Sequence, residues 1–213
     1  ALYYQPQISL KECSINGAEA LLRWPNAEFK NISIEKLIML AEHTGIINEL
    51  TLWVIEQACK DIARLANDDI KNHSVSVNLS AKNLAIANLT EKVENILIKY
   101  QVAPHLLKFE LTESAFVENQ DALVTLVDEL ATLGVKVVLD DFGTGYSSLS
   151  YLVNYHFSEL KVDKSFVFDL TDNRAHQVIV QTAIDMAHNL GLTITIEGVE
   201  TQEVHQLLTA MRA

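Results

Sequence analysis

Two adjacent carboxylates, Asp140 and Asp141, end an apolar run and directly precede a loop with glycines at Gly143 and Gly145, in the stretch 135–148, VKVVLDDFGTGYSS. Placing charge at the exit of a buried run is unfavourable unless something positive compensates it, and in an acid-rich chain a bound cation is the natural compensator. Taken alone, the pair has a plainer reading, with Asp140 capping the next turn and Asp141 facing solvent. The pattern recurs along the chain, however: Glu19, Asn78, Glu110, Lys161 and Glu197 each stand at or near the end of another apolar run. No HExxH segment or cysteine cluster is present, and the histidines are scattered singly. Oxygen-only ligands select hard ions, Mg²⁺ or Mn²⁺, over zinc. Adjacent aspartates suit two such ions about 3.5–4 Å apart, an arrangement that serves in-line displacement at phosphorus. Strand alternation also puts Arg23 on the face of Glu19, where its guanidinium could clamp a phosphate bidentately. The same alternation would send Asp140 and Asp141 to opposite faces, so Asp141 is expected to belong already to the loop.

The elements that must position these residues can be read in order. Leu2–Ser9 reads as a strand, with Pro6 marking an edge or bulged position. Asn16–Gly17 is a turn signal, followed by the apolar stretch 18–24. Ser33 is placed to cap a helix whose apolar face holds Ile34, Leu37, Ile38 and Ala41. A second helix spans about 50–66. Strands are then expected over 74–79, 106–111, 135–139, 159–163 and 192–197, with helices over 89–100, 121–133, 147–155, 176–189 and 201–211. The unbroken apolar run Val137–Leu139 suits a strand covered on both faces. Strands alternating with helices call for a parallel sheet with crossover helices. About seven strands exceed the usual open doubly wound sheet and fall one short of a (β/α) barrel, in which the carboxyl ends of the strands converge on the active face. The fold expected is an α/β barrel of TIM type whose last strand lies beyond Ala213.

At 213 residues and 49% apolar content, the chain can bury one full core. A formal net charge of −12 argues against a nucleic-acid polymer as partner, since no basic stripe exists to displace counterions. A small phosphorylated ligand held through metal ions is compatible with it. Cys13 and Cys59 form no CxxC and read as ordinary thiols. No apolar run approaches the length of a membrane span, so no membrane contact by this domain is expected.

Taken together, Glu19–Leu21 (EAL), Asn78–Ser80 (NLS), Glu110–Glu113 (ELTE), Asp140–Ser148 (DDFGTGYSS), Lys161–Asp163 (KVD) and Glu197–Glu200 (EGVE) resemble, in order and approximate spacing, the EAL domain of bacterial cyclic di-GMP phosphodiesterases. The resemblance covers residues 3–205, so that 1–213 reads as a single domain of this kind. It implies a modified (β/α) barrel with an antiparallel first strand, and hydrolysis of one phosphodiester bond of cyclic di-GMP to linear pGpG with Mg²⁺ or Mn²⁺, inhibited by Ca²⁺. It further implies Glu19, Asn78, Glu110, Asp140 and Asp141 as metal ligands, with Lys161 holding the attacking water or a phosphate oxygen and Glu197 as general base. Arg23, Gln5, Leu21 and Asp163 would lie toward the substrate, while Glu113 and Glu200 would brace the DDFGTGYSS loop. That loop region, Asp141–Ser148, would also form a homodimer interface. The expected location is cytoplasmic, in a protein that family precedent would fuse to sensor or GGDEF domains and sometimes tether to a membrane. The stretch Pro25–Asn31, Ile34, Lys82 and Lys164 depart from the usual family pattern, away from the chemistry. The alternative is a catalytically silent cyclic di-GMP receptor; silent members typically lose metal ligands or the loop, and here each such position is filled.

Overall fold

Among the described residues, seven strands form one sheet in chain order: β1 (Leu2–Ser9), β2 (Ser14–Leu22), β3 (Ser74–Asn78), β4 (Leu107–Thr112), β5 (Lys136–Phe142), β6 (Glu159–Val162) and β7 (Thr193–Ile196). The computed structural model describes residues 1–25, 32–67, 73–115, 120–145 and 149–213. β1 runs antiparallel to β2, and every later neighbour is parallel, as crossover helices require. Those helices are α1 (Ile34–Thr44), α2 (Ile47–Asn67), α3 (Leu89–Tyr100), α4 (Gln120–Leu133), α5 (Leu149–Asn154) and α6 (Arg174–Asn189), and α7 (Gln202–Ala210) follows β7. The sheet curls into the TIM-barrel-like arrangement expected, with β1 and β7 as its two edges. Pro6, which has no N–H to give to a ladder, sits on the edge strand β1. Ser33 caps α1 as its spacing predicts, accepting the Lys36 N–H.

The apolar core lies between sheet and helices, not inside the barrel. Val75, Val77, Leu107, Phe109, Val137, Leu139, Leu160 and Val162 face outward onto Ile55, Cys59, Val93, Leu97, Leu123, Val127, Val180 and Ile184, all buried. Each such aliphatic side chain contributes about 1.5–3 kcal/mol on burial. Burial also pushes the Cys59 thiol up to about 12. The alternate residues of the same strands point inward, and apart from Val138 the buried ones are polar, among them Ser76, Lys108, Glu110, Asp140, Glu159 and Lys161. A barrel lined this way is held by its coat of helices, and its interior is free to carry charge.

One local expectation fails. Asn16 and Gly17 form no turn; both lie within β2, and the reversal is made earlier, at 10–13. Pairing runs Gln7↔Gly17 and then Ile8↔Ile15, which leaves Asn16 as the extra residue of a bulge. Gly17 is there because backbones approach closely: a Cβ on it would stand 2.7 Å from Ser74 Oγ and 2.8 Å from the Ser74 carbonyl oxygen. Since the carbonyl belongs to a paired strand and cannot step aside, Gly17→Ala should destabilise the domain by about 1–3 kcal/mol, as overpacking does. Urea unfolding of the two proteins measures this directly.

Candidate active site at the carboxyl ends of the strands

Lys161 is the last inward-facing residue of β6 and is 1% exposed. Its Nζ meets four carboxylates: Glu110 Oε2 at 2.8 Å, Glu197 Oε1 at 2.8 Å, Asp140 Oδ1 at 3.1 Å and Glu19 Oε2 at 3.3 Å. These acids come from β4, the segment after β7, β5 and β2, so a single ammonium ties strands from across the barrel. Asn78, at the end of β3, donates from Nδ2 to Glu19 Oε1 at 2.8 Å. The six residues predicted to converge therefore do so, at one mouth.

Asp141 belongs to the strand, not to the loop as expected, yet it still joins the cluster. The register of β5 on β6 runs Leu139↔Leu160 and then Phe142↔Val162, three residues against two. This bulge holds Asp141 at φ 55°, a left-handed conformation, and its N–H donates to Asp140 Oδ1 at 2.9 Å. The extra residue cancels the alternation that would have turned its side chain away. Ligand atoms of Asp140, Asp141 and Glu197 all lie within 4.8 Å of one another, a group that could hold a metal ion.

The loop that follows is fixed from two sides. Glu113 accepts from the Gly143 N–H at 3.4 Å and the Gly145 N–H at 3.2 Å. On the other flank the Phe166 ring lies against Gly143 (φ 95°), where a Cβ would meet the ring at 2.8 Å. Glu200, expected beside Glu113, is exposed and makes no hydrogen bond or ion pair with the described residues. Tyr146, Ser147 and Ser148, the rest of the expected dimer loop, lie outside the described residues. Asp163 caps the 3₁₀ turn Lys164–Phe166; burial alone would raise its pKa, but hydrogen bonds from Ser165 outweigh this and hold it low. Gln5 is exposed and is the register partner of Glu19. Arg23 is exposed just past β2, its guanidinium donating to the Leu22 carbonyl at 3.0 Å. With Leu21 and Asn78 it borders a cavity of about 480 Å³ that runs beneath α1. Sequence reasoning passed over Lys108 and Glu159, a second buried ion pair at 2.6 Å. The signal was available: charges two apart, LKFEL and ELKV, inside otherwise apolar strands.

Five acids around one ammonium leave an excess of negative charge. Burial pushes Glu110 up to about 8; the Lys161 charge opposes this, while Glu19 and Asp140 reinforce it. Asp141 rises to about 6, through burial and then the nearby charge of Asp140. Burial also raises Glu197, against the pull of Lys161. Burial alone would lower Lys161, but Glu110, Asp140, Glu19 and Glu197 outweigh it and keep the ammonium protonated. Glu110 Oε1 is buried and has no hydrogen-bond partner, although Oε2 is taken by Lys161. An orphaned carboxylate oxygen beside further acids is what a hard cation would satisfy.

These shifts fix a sign. A carboxyl whose folded-state pKa is raised stabilises the fold while protonated; for Glu110 that contribution is present below its ordinary 4.5 and lost as the pH rises through about 8. In the absence of divalent ions, the urea midpoint should therefore fall between pH 5 and 8, and Glu110→Gln should flatten that fall. A midpoint of equal slope in both proteins would contradict the assignment.

The EAL domain family matches residues 1–213. The chain is 39% identical over 207 residues to the signaling protein YkoW of Bacillus subtilis, covering 97% of this chain and 26% of that protein. It is 38% identical over 202 residues to the cyclic di-GMP phosphodiesterase NbdA of Pseudomonas aeruginosa, covering 95% of this chain and 26% of that one. Among solved structures, the PaMucR phosphodiesterase in complex with c-di-GMP superposes with a TM-score of 0.92 at 35% identity, over 99% of this chain and 85% of that one. The chain thus spans about a quarter of the length of these two curated relatives. No helix among the described residues is long and apolar enough to cross a membrane. With the acidic mouth, the antiparallel first strand and the match over its whole length, this chain belongs to the EAL domain family.

Proposed function

We propose that this domain hydrolyses cyclic di-GMP to linear pGpG. The observation that carries the reading is the convergence of Glu19, Asn78, Glu110, Asp140 and Asp141 around the Lys161–Glu197 pair, with one buried carboxylate oxygen left unpartnered. The donor set fits hard divalent cations, and those five residues would hold two of them, Mg²⁺ or Mn²⁺. When bound, such ions supply Lewis acidity at the phosphodiester and lower the pKa of water.

The chain's own groups account for the remainder. Lys161 stays charged and fixes Glu197 Oε1 at 2.8 Å, so the carboxylate is held in place at the mouth. Glu197, its pKa raised by burial, takes the proton of the attacking water. The water oxygen bonds to phosphorus as one P–O ester bond opens in line with it, and the released sugar oxygen takes a proton from solvent, which yields a linear dinucleotide. Arg23 would bind a phosphate with Gln5 near the same site, and Leu21 and Asp163 are assigned to substrate binding. Glu113 keeps the loop that follows Asp141 in position, and Glu200 is assigned to bracing the same loop. A cytoplasmic location and a homodimer through the Asp141–Ser148 region belong to the same reading; sedimentation of the purified domain tests the latter. PaMucR is described as a phosphodiesterase in complex with c-di-GMP, and NbdA as a cyclic di-GMP phosphodiesterase, which supports the substrate.

Incubating the domain with cyclic di-GMP and Mg²⁺ or Mn²⁺ should yield pGpG; binding without cleavage would favour a silent receptor. Glu197→Gln should lower turnover roughly 10²-fold or more with binding retained, as loss of a general base does. Near-normal turnover would remove Glu197 from that role. Asp141→Asn should shift the Mg²⁺ midpoint for pGpG formation upward and lower its plateau, and coincident curves would exclude Asp141 as a functional ligand. Ca²⁺ should inhibit, because its larger radius and looser coordination do not hold the spacing that in-line attack requires.

A further inference from the structure

Lys108 lies two residues before Glu110 on β4, and Glu159 lies two residues before Lys161 on β6. Alternation puts the members of each pair on one face of their strand, about 6–7 Å apart along it. Lys108 Nζ reaches Glu159 Oε2 at 2.6 Å, spanning β5, and the two side chains are only 11% and 4% exposed. Thr195, the register partner of Lys161 on β7, donates from Oγ1 to Glu159 Oε1 at 2.6 Å. Two ion pairs are therefore stacked with opposite polarity. At the mouth the acid is on β4 and the base on β6; below it the base is on β4 and the acid on β6. Along each strand, a charge stands above its opposite.

Nothing in the hydrolytic scheme uses the lower pair. A buried ion pair is also a poor source of stability, because apolar side chains of similar volume serve as well or better. Its direction matters more. A positive charge beneath Glu110 and a negative one beneath Lys161 reinforce the contact between them at the mouth, while Glu110 Oε1 stays free. We propose that Lys108 and Glu159, the latter oriented by Thr195, are positioning residues that hold Glu110 and Lys161 in the geometry that cation binding at the mouth requires. This rests on reading the mouth as a cation-dependent phosphodiesterase centre.

The test is the double variant Lys108→Met/Glu159→Leu, which removes both charges and keeps the volume. Three quantities are measured: the melting temperature, Mn²⁺ affinity without substrate by calorimetry, and kcat and KM on cyclic di-GMP. The double variant should melt near or above wild type, yet bind Mn²⁺ roughly tenfold more weakly and lose roughly tenfold in kcat with KM little changed, the size of effect seen when residues behind metal ligands are removed. A folded double variant with wild-type Mn²⁺ affinity and kcat overturns the proposal. The inverted pair Lys108→Glu/Glu159→Lys restores an ion pair but puts like charge beneath each residue at the mouth. Full recovery there would show that only the bridge matters and overturns the proposal; continued loss supports it. If the double variants do not fold, Thr195→Val, which removes one hydrogen bond, should still weaken Mn²⁺ binding, and an unchanged affinity counts against the proposal. Wild-type protein that binds Mn²⁺ but does not cleave cyclic di-GMP sinks the enzymatic reading alone, since the calorimetric comparison still decides positioning. Wild-type protein that binds no Mn²⁺ sinks both.

Discussion

A buried ammonium with more carboxylates around it than it has protons to donate is the constraint on which this structure turns. Lys161 reaches Glu110, Glu197, Asp140 and Glu19, and so gathers residues more than 140 positions apart in the chain. Removing that charge would leave several acids buried together, an expensive state in a low-dielectric interior. Keeping it still leaves more carboxylates than positive charge in the cluster, where burial first and the neighbouring acids second raise Glu110 and Asp141. The folded chain thereby presents at its mouth a group of carboxylates that could hold a metal ion.

The division of labour within the strands makes this tolerable. Outward residues such as Phe109 and Leu160 supply the packing against helices, while their inward neighbours Glu110 and Lys161 carry charge. Stability and chemistry thus occupy opposite faces of the same few residues. The loop after β5 shows the same economy: Glu113 satisfies two backbone N–H groups and Phe166 closes the other side.

Much of this was legible in the sequence. The alternation of strands and helices, the Ser33 cap and the polar residue at each strand end are local patterns, and local chemistry set them. Two features were not. Asn16–Gly17 has the composition of a turn, but the glycine answers to Ser74, more than fifty residues away, and no local rule contains that approach. Asp141 was assigned to the loop because alternation forbade its presence in the strand, whereas a bulge, visible only once β5 is paired with β6, lifts the prohibition. The lower ion pair was written plainly in LKFEL and ELKV and went unread, because each charge has an ordinary surface reading until both strands are known to be buried.

The bulge at Asp140–Asp141 makes this stretch sensitive to chain length as well as to side-chain identity. Loss of one residue between Leu139 and Phe142 would bring β5 back into plain alternation with β6, leaving the ladder intact and the strand well paired. Only Asp140 and Asp141 stand between Leu139 and Phe142, so the deletion removes one of the two carboxylates and leaves Phe142 in its outward place. A chain carrying such a deletion would keep its sheet and its circular dichroism while losing half of its acidic doublet, so that the count of residues here sets how many carboxylates reach the mouth.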